Sequence, residues 1–61
     1  GKSLFSKKNI KKGEKITIDD LDGKIVRPQV IPVRESCEVI GKYSKLDIQI
    51  GEYISYEMLE L

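Results

Sequence analysis

The pattern of apolar and polar positions repeats once along this chain. Residues 9–21 and 47–59 align without a gap at a shift of 38 residues. Five positions are identical in the two copies: Ile10/Ile48, Gly13/Gly51, Glu14/Glu52, Ile16/Ile54 and Leu21/Leu59. Three more pairs keep their chemistry: Thr17/Ser55, Asp19/Glu57 and Asn9/Asp47. Two copies in so short a chain predict a pseudo-two-fold structure in which each half completes the core of the other.

Each copy predicts the same small structural unit. An isoleucine enters the core, a glycine turns the chain with positive φ, and a second isoleucine returns to the core on a short strand. The hydroxyl of Thr17 or Ser55 then caps a helical turn by accepting backbone N–H groups, and Thr17 and Asp20 have capping-box spacing. A leucine packs this turn against the core. We therefore expect six buried side chains: Ile10, Ile16, Leu21, Ile48, Ile54 and Leu59.

Short strands and one short helix are predicted around and between the copies. Residues 3–6 and 42–46 are predicted strands that lead into the two copies. Residues 24–27 are a further strand, which ends at Pro28 because proline cannot donate to a ladder. Residues 32–40 are predicted to form a helix with proline at its first position and glycine after its end. Nine isoleucines, four valines and no alanine favour a mostly β fold.

Several side chains admit both a structural and a chemical role. Val33, Cys37 and Ile40 share one face of the predicted helix. We therefore expect Cys37 to be a buried apolar residue rather than a nucleophile, for which the chain supplies no base. Three tyrosines are expected to be partly buried with their hydroxyls in water: Tyr43, Tyr53 and Tyr56. Three aspartates, Asp19, Asp20 and Asp22, raise the alternative of a metal site. The first two lie where a helix N-terminus favours negative charge, so a capping role is preferred.

Composition narrows the range of functions. A chain of 61 residues makes one domain with a thin core and no space for an enclosed active site. The absence of histidine excludes an imidazole base, and a single cysteine excludes an internal disulfide or a cysteine-based zinc cluster. The single thiol suits a reducing compartment, and no apolar run reaches the length of a membrane helix. These observations predict a binding or accessory module rather than a stand-alone enzyme.

The net charge of +1 conceals an uneven distribution along the chain. Residues 1–15 carry six lysines against Glu14 alone, and residues 46–61 carry four acidic side chains and no base. A basic segment can attract an anionic partner. The preferred interpretation is that Lys11 and Lys12 decorate a solvated turn. One phenylalanine and no tryptophan offer no row of stacking platforms, so no nucleic-acid partner is predicted.

The loop formed by residues 27–32 is a candidate binding element. It carries Pro28 and Pro32 close to its two ends, and proline restricts the backbone. A stiff loop that begins with Arg27 is suited to present one charged side chain. The alternative is that Arg27 is an exposed arginine at a strand end, in an ion pair of little energetic value.

The chain also carries an ordered set of short motifs. In chain order they are Ser-Leu-Phe, Asn-Ile-Lys-Lys-Gly-Glu-x-Ile-Thr, Arg-Pro, Val-Ile-Gly-Lys and Asp-Ile-x-x-Gly-Glu-x-Ile-Ser. From Lys2 to about Leu59, the chain closely resembles the SAF, or antifreeze-like, domain that ends bacterial N-acetylneuraminate (sialic acid) synthases and related nonulosonate and spore-coat polysaccharide synthases. Type III antifreeze proteins share the fold. The resemblance implies one domain over residues 1–61, with the β-clip or "pretzel" fold of short strands, single helical turns and an internal pseudo-two-fold repeat.

The resemblance also implies a function. In such synthases a TIM barrel condenses phosphoenolpyruvate with an N-acetyl-sugar, using a divalent metal such as Mn²⁺ or Mg²⁺. The SAF domain holds no cofactor and does no bond chemistry. It lies over the partner subunit's barrel in a homodimer, where the arginine of its Arg-Pro motif helps to hold the sugar. That residue is Arg27 here, and Gln29 in the same loop is a second candidate contact. A cytoplasmic parent is expected, with no membrane or nucleic-acid partner.

Two other functions have this fold. A SAF domain can be a protein-interaction module in pilus or flagellar assembly proteins, where Gly-Glu-x-Ile-Thr also occurs. Ice binding needs a flat surface of uncharged side chains, and the corresponding face here carries Lys8, Glu14 and Lys15, whose strong hydration argues against it. The loop after Arg-Pro contains no glycine and the segment up to Gly41 is about one residue shorter than in many synthases, which bears on the identity of the sugar.

Overall fold

One antiparallel pair of strands organises the domain. The computed structural model describes residues 1–60, in which β1 (Lys2–Ser6) pairs with β2 (Leu21–Ile25). Leu4 lies opposite Gly23 in this ladder. Three short 3-10 helices complete the regular structure: Ile18–Asp20, Val33–Glu38 and Tyr56–Met58. The remaining contacts between segments are isolated bridges and turns, so the fold is small and mostly β.

Strand β1 lies at the centre because both of its edges are used. On the edge away from β2, the Leu4 N–H donates to the Ile31 carbonyl at 2.8 Å, and the Leu4 carbonyl accepts from Ile54 N–H at 3.0 Å. Ser6 N–H donates to the Glu52 carbonyl at 2.8 Å on the same edge. The first strand therefore joins β2, the loop after β2 and the second copy of the repeat.

The backbone hydrogen bonds of the two copies of the repeat are related by a pseudo-two-fold axis, the dyad. Ile10 and Ile48 face each other across it and exchange both backbone hydrogen bonds, each at 2.7 Å. Gly13 N–H donates to the Ser44 carbonyl at 2.8 Å, and the equivalent bond from Gly51 to the Ser6 carbonyl is 2.7 Å. The two glycines have φ of 88° and 92°, which is the left-handed region that the turns were predicted to need.

This correspondence begins earlier in the chain than residues 9 and 47. The buried hydroxyls of Ser6 and Ser44 each donate to the carbonyl two residues further on, at Lys8 and Leu46 respectively. Residues 6–7 and 44–45 are both Ser-Lys, again at a shift of 38 residues. The two halves therefore share a longer backbone path than the thirteen aligned positions of the sequence repeat.

The core contains the side chains that the repeat identified. All six predicted positions are buried, which confirms this expectation. Three further aliphatic side chains from outside the aligned copies join them: Leu4, Ile31 and Val39. Ile40 and Met58 pack against the cluster while remaining partly exposed.

The predicted helix over residues 32–40 is shorter and tighter than expected. It is a 3-10 helix, Val33–Glu38, whose backbone departs from helical angles at Glu35. Val39, the residue that caps this helix at its C-terminal end, turns towards the core in place of Cys37. Val39 is fully buried and Cys37 is exposed. The expectation of a buried Cys37 is therefore wrong.

The strand boundaries also differ from the expected ones. Strand β2 is Leu21–Ile25 rather than residues 24–27, because the ladder with β1 begins directly after the first 3-10 helix. The predicted strand over residues 42–46 has only two bridging residues, Tyr43 and Ser44.

The three tyrosines do not share one environment. Tyr43 and Tyr56 are exposed rather than partly buried, at 50% and 44%. The half-buried Tyr53 packs edge-on against Phe5, with ring centroids 6.4 Å apart. The Tyr56 hydroxyl donates to the Glu35 carboxylate at 2.8 Å, which links the second and third 3-10 helices. This hydrogen bond is the main cause of a raised pKa of Tyr56, to which burial and the charges of Glu35 and Glu38 contribute.

The capping box predicted for Thr17 and Asp20 is present in the first copy, whereas the predicted cap at Ser55 is absent from the second. At the first turn the Asp20 carboxylate accepts from Thr17 N–H at 2.8 Å and from the Thr17 hydroxyl at 3.1 Å. At the equivalent turn Ser55 makes no side-chain cap hydrogen bond. The residue equivalent to Asp20 is Met58, which packs against the core instead. A carboxylate that holds the backbone of the preceding residues thus stabilises one copy only.

A close approach between β2 and the second 3-10 helix demands glycine at position 23. A Cβ added to Gly23 would lie 2.6 Å from Cγ2 of Val33, well inside van der Waals contact. We expect Gly23→Ala to destabilise the domain by about 1–3 kcal/mol through overpacking. In a domain of this size that is a fall in Tm of several degrees, measured by circular dichroism.

A substitution at Val33, the residue that the added Cβ would contact, is the control for Gly23→Ala. Val33→Ala alone should cost little because Val33 is 39% exposed. Combined with Gly23→Ala, it should return most of the lost stability, since the two changes share one contact. Equal losses from Gly23→Ala with and without the second change would contradict the assignment.

Candidate functional site

The loop that follows β2 wraps around the beginning of β1. Its first anchor is Ile25, which pairs with Lys2. Its last anchor is Pro32, which bridges Ser3. Residues 26–31 therefore begin on one edge of β1 and end on the other, and Arg27 lies early in this crossing.

Three contacts hold the far end of this loop in place. The Ile31 side chain is buried at 1% exposure, and its carbonyl accepts from the backbone of β1. Val30 N–H donates to the hydroxyl of Ser3 at 3.0 Å. The Gln29 amide lies 3.4 Å from the Lys2 carbonyl, to which it donates. The second half of the loop is thus tied to β1 by both backbone and side-chain contacts.

The two candidate binding residues, Arg27 and Gln29, differ in their contacts with the rest of the domain. Arg27 is exposed and begins the loop, and the peptide bond between Arg27 and Pro28 is cis. Gln29 is exposed as well, but its amide nitrogen is directed to the domain's own backbone. The structure therefore leaves Arg27 at the surface on an anchored loop and uses Gln29 in the anchoring.

The side chains of this loop are suited to bind a ligand and not to catalyse a reaction. An arginine presents a planar fork of N–H donors and stays charged at all physiological pH values, so it cannot act as a general base. Such a fork suits carboxylate, phosphate, carbonyl or hydroxyl oxygens. Ile25 and Val30 expose apolar surface on either side of Arg27 in the chain, at 71% and 42%.

The aspartates considered for a metal site have structural partners. Asp20 holds the Thr17 backbone, and Asp22 accepts from the Gly23 N–H at 2.8 Å. Asp19 lies exposed in the first turn of its 3-10 helix. Within residues 1–60, no three His, Cys, Asp or Glu side chains converge in a way that could hold a metal ion.

Two of the surface depressions formed by residues 1–60 lie between segments that are distant in the chain. One is an apolar groove of about 210 Å³ between β2 and the second 3-10 helix, bordered by Ile18, Gly23 and Val33. The other is a hollow of about 500 Å³ on the dyad, where Asp47 accepts from the Lys12 N–H and Asn9 accepts from the Ile50 N–H. The repeat predicted the pairing of the two halves but neither depression, since each forms between segments distant in the chain.

Ser3 is the residue of this site that reasoning from the sequence missed. It is fully buried at 0% exposure although it is polar, and its hydroxyl is the only side-chain acceptor that the loop backbone reaches within the described residues. The available signal was a small hydroxyl residue in a strand, because such side chains readily accept from nearby backbone N–H groups. Its partner lies 27 residues away, and that distance concealed the contact.

No helix within residues 1–60 combines the length and the apolar character that crossing a membrane would require.

Comparison with known proteins agrees with this fold. The SAF domain family matches residues 1–60, and 47 chains of solved structures match. One of these is the solution structure of an antifreeze protein-like domain in the human N-acetylneuraminic acid phosphate synthase gene, with a TM-score of 0.89. It is 24% identical, and the match covers 97% of this chain and 75% of that one. No curated protein sequence matches significantly. With the family covering all of the described residues, the chain belongs to the SAF domain family and has an antifreeze-like fold.

Proposed function

We propose that this SAF domain is the C-terminal accessory domain of a sialic acid synthase-like enzyme, and that Arg27 contacts its sugar substrate. The observation that carries the proposal is an exposed arginine on an anchored loop, in a domain with the fold of an antifreeze protein-like domain in a human N-acetylneuraminic acid phosphate synthase gene. The parent enzyme would condense phosphoenolpyruvate with an N-acetyl-sugar, which makes it a transferase that forms a carbon–carbon bond.

The contribution of Arg27 would be to bind and orient the sugar. Its guanidinium can donate two hydrogen bonds in one plane to hydroxyl or carbonyl oxygens. The anchored end of the loop reduces the conformational freedom that would be lost on binding. Gln29 would act in the same loop, through the amide oxygen that its contact with Lys2 leaves available.

The chemical step would take place in another domain. A divalent metal such as Mn²⁺ or Mg²⁺ needs several oxygen ligands, and residues 1–60 bring no such set together. We therefore assign the metal and the bond-forming groups to a TIM-barrel domain of the parent. The SAF domain would lie against the barrel of the partner subunit in a homodimer. Because phosphoenolpyruvate is an intracellular metabolite, we propose a cytoplasmic parent.

Removing the domain from the parent enzyme tests the proposal. The parent should convert phosphoenolpyruvate, an N-acetylhexosamine and water to a sugar acid and inorganic phosphate. Deletion of residues 1–60 should leave metal binding by the barrel intact and reduce kcat/KM for the sugar by more than tenfold, because part of the sugar site is lost (about 1.4 kcal/mol or more). A parent without condensation activity would contradict the proposal and favour a protein-interaction module of an assembly protein.

A further inference from the structure

The hydroxyl of Ser3 is buried, but it does not take part in the hydrogen bonds of the dyad. The other two buried serines, Ser6 and Ser44, donate to carbonyls only two residues away and belong to the dyad. Ser3 has no such counterpart, because the position 38 residues further on is Gly41. Its hydroxyl instead accepts from Val30 N–H, three residues after Arg27.

This contact is placed where it controls the path of the loop. Ile25 precedes Arg27 by two residues and is held by the ladder with β1. After Arg27, the next backbone N–H with a protein acceptor within the described residues is that of Val30. The guanidinium is therefore carried by a short span between the ladder and the Ser3 hydroxyl. Loss of the hydroxyl would lengthen the free span up to the buried Ile31 and widen the range of positions that Arg27 visits.

We propose that Ser3 is a positioning residue, which acts on the sugar substrate through Arg27 by holding the backbone of Val30. This inference rests on the proposed function, because it needs a substrate at Arg27. Val30 belongs to a surface loop and is itself 42% exposed, so the loop can shift and give the Val30 N–H a water acceptor when the hydroxyl is lost. The expected effect is therefore a displaced loop rather than an unfolded domain. A misplaced binding group weakens the productive complex even though every contact group is present.

The test is a double-mutant cycle in the parent enzyme with Ser3→Ala and Arg27→Ala. Ser3→Ala should lower kcat/KM for the sugar about fivefold, mainly through KM, and should leave KM for phosphoenolpyruvate unchanged. In the Arg27→Ala background, Ser3→Ala should have no further effect on the sugar kinetics, because the group that it positions is gone. Ser3→Cys keeps the shape of the side chain with a weaker acceptor and should show the same selective loss, and it replaces Ser3→Ala if that variant does not fold.

Ser44→Ala is the matched control, since it also removes a buried serine hydroxyl but in the other half of the dyad. It should change Tm as Ser3→Ala does and leave the KM for the sugar unchanged. Unchanged sugar kinetics in Ser3→Ala, or a loss that multiplies with that of Arg27→Ala, would overturn this inference while leaving the proposed function intact. Unchanged sugar kinetics in Arg27→Ala would overturn both.

Discussion

Replacing Ile54 by alanine is expected to leave a large fraction of the domain's molecules unfolded. Ile54 is 0% exposed, and its backbone bonds to the central strand at Leu4. Truncation of a fully buried isoleucine costs about 2–5 kcal/mol, because the cavity that remains is only partly filled. A single core below about 70–80 residues rarely supplies more than about 3–5 kcal/mol of stability. The loss is therefore comparable to the whole stability of the domain, and urea unfolding followed by circular dichroism measures it.

The equivalent position in the first copy provides a second test of this prediction, and an exposed isoleucine provides a control. Ile16 is the equivalent of Ile54 and is also 0% exposed, so Ile16→Ala should have a similar effect. Ile50 is 64% exposed, so Ile50→Ala removes the same atoms from the surface and should change stability by less than about 0.5 kcal/mol. A Tm of Ile54→Ala within a degree or two of the wild-type value would show that the side chain is not part of the core.

Replacing Arg27 by alanine should reduce kcat/KM for the sugar in the parent enzyme by at least about tenfold. That factor corresponds to about 1.4 kcal/mol of lost transition-state binding, close to the lower end of the range for a hydrogen bond to a charged group. Folding and metal binding should be unchanged, because Arg27 is exposed on a loop. Steady-state kinetics with each substrate varied in turn measures the effect, and a thermal melt of the same protein confirms that it is folded.

Two further variants separate charge from geometry at this position. Arg27→Lys should recover little activity, because lysine keeps the charge without the planar fork. Arg34→Ala removes the other arginine of the chain, which is also exposed, and should leave the sugar kinetics unchanged. If Arg27→Ala and Arg34→Ala enzymes both behave as wild type, Arg27 does not contact the sugar.

The core could be predicted from the repeat because burial follows from local pattern. Identical isoleucines and leucines at a shift of 38 residues mark side chains that must meet across a dyad, and these residues are buried. The turn glycines were predictable for a similar reason, since a positive φ strongly favours glycine. Leu4, Ile31 and Val39 were not among the predicted core residues because they lie outside the aligned copies.

The predicted helix failed where local pattern is ambiguous. Val33, Cys37 and Ile40 fit the 3.6-residue period of an α-helix, but the segment forms two short 3-10 turns with a break at Glu35. A segment of six residues is too short for intrinsic propensity to decide between them, and the close packing of Val33 over Gly23 accompanies the tighter form. In this form Cys37 is exposed.

Arg27 was identifiable from its motif, and its anchoring was not. The Arg-Pro pair marks the loop in the sequence, but the contact of Ser3 with Val30 joins residues 27 positions apart. Such a contact has no local signature, because it depends on where β1 and β2 place their ends. The same holds for the bond between Tyr56 and Glu35, which links two 3-10 helices across 21 residues.

The sequence by itself determined the dyad, the six buried positions of the repeat, the two glycine turns and membership of the SAF family. The dyad, the buried positions and the turns follow from residue type and spacing, through burial of apolar surface and the conformational freedom of glycine. Membership of the family follows from the ordered set of motifs and the family match. Only the tertiary structure decided the 3-10 form of the helix at Val33–Glu38, the exposure of Cys37 and the anchoring of the Arg27 loop by Ser3. These depend on contacts between distant segments, whose geometry exists only once the two halves have packed together.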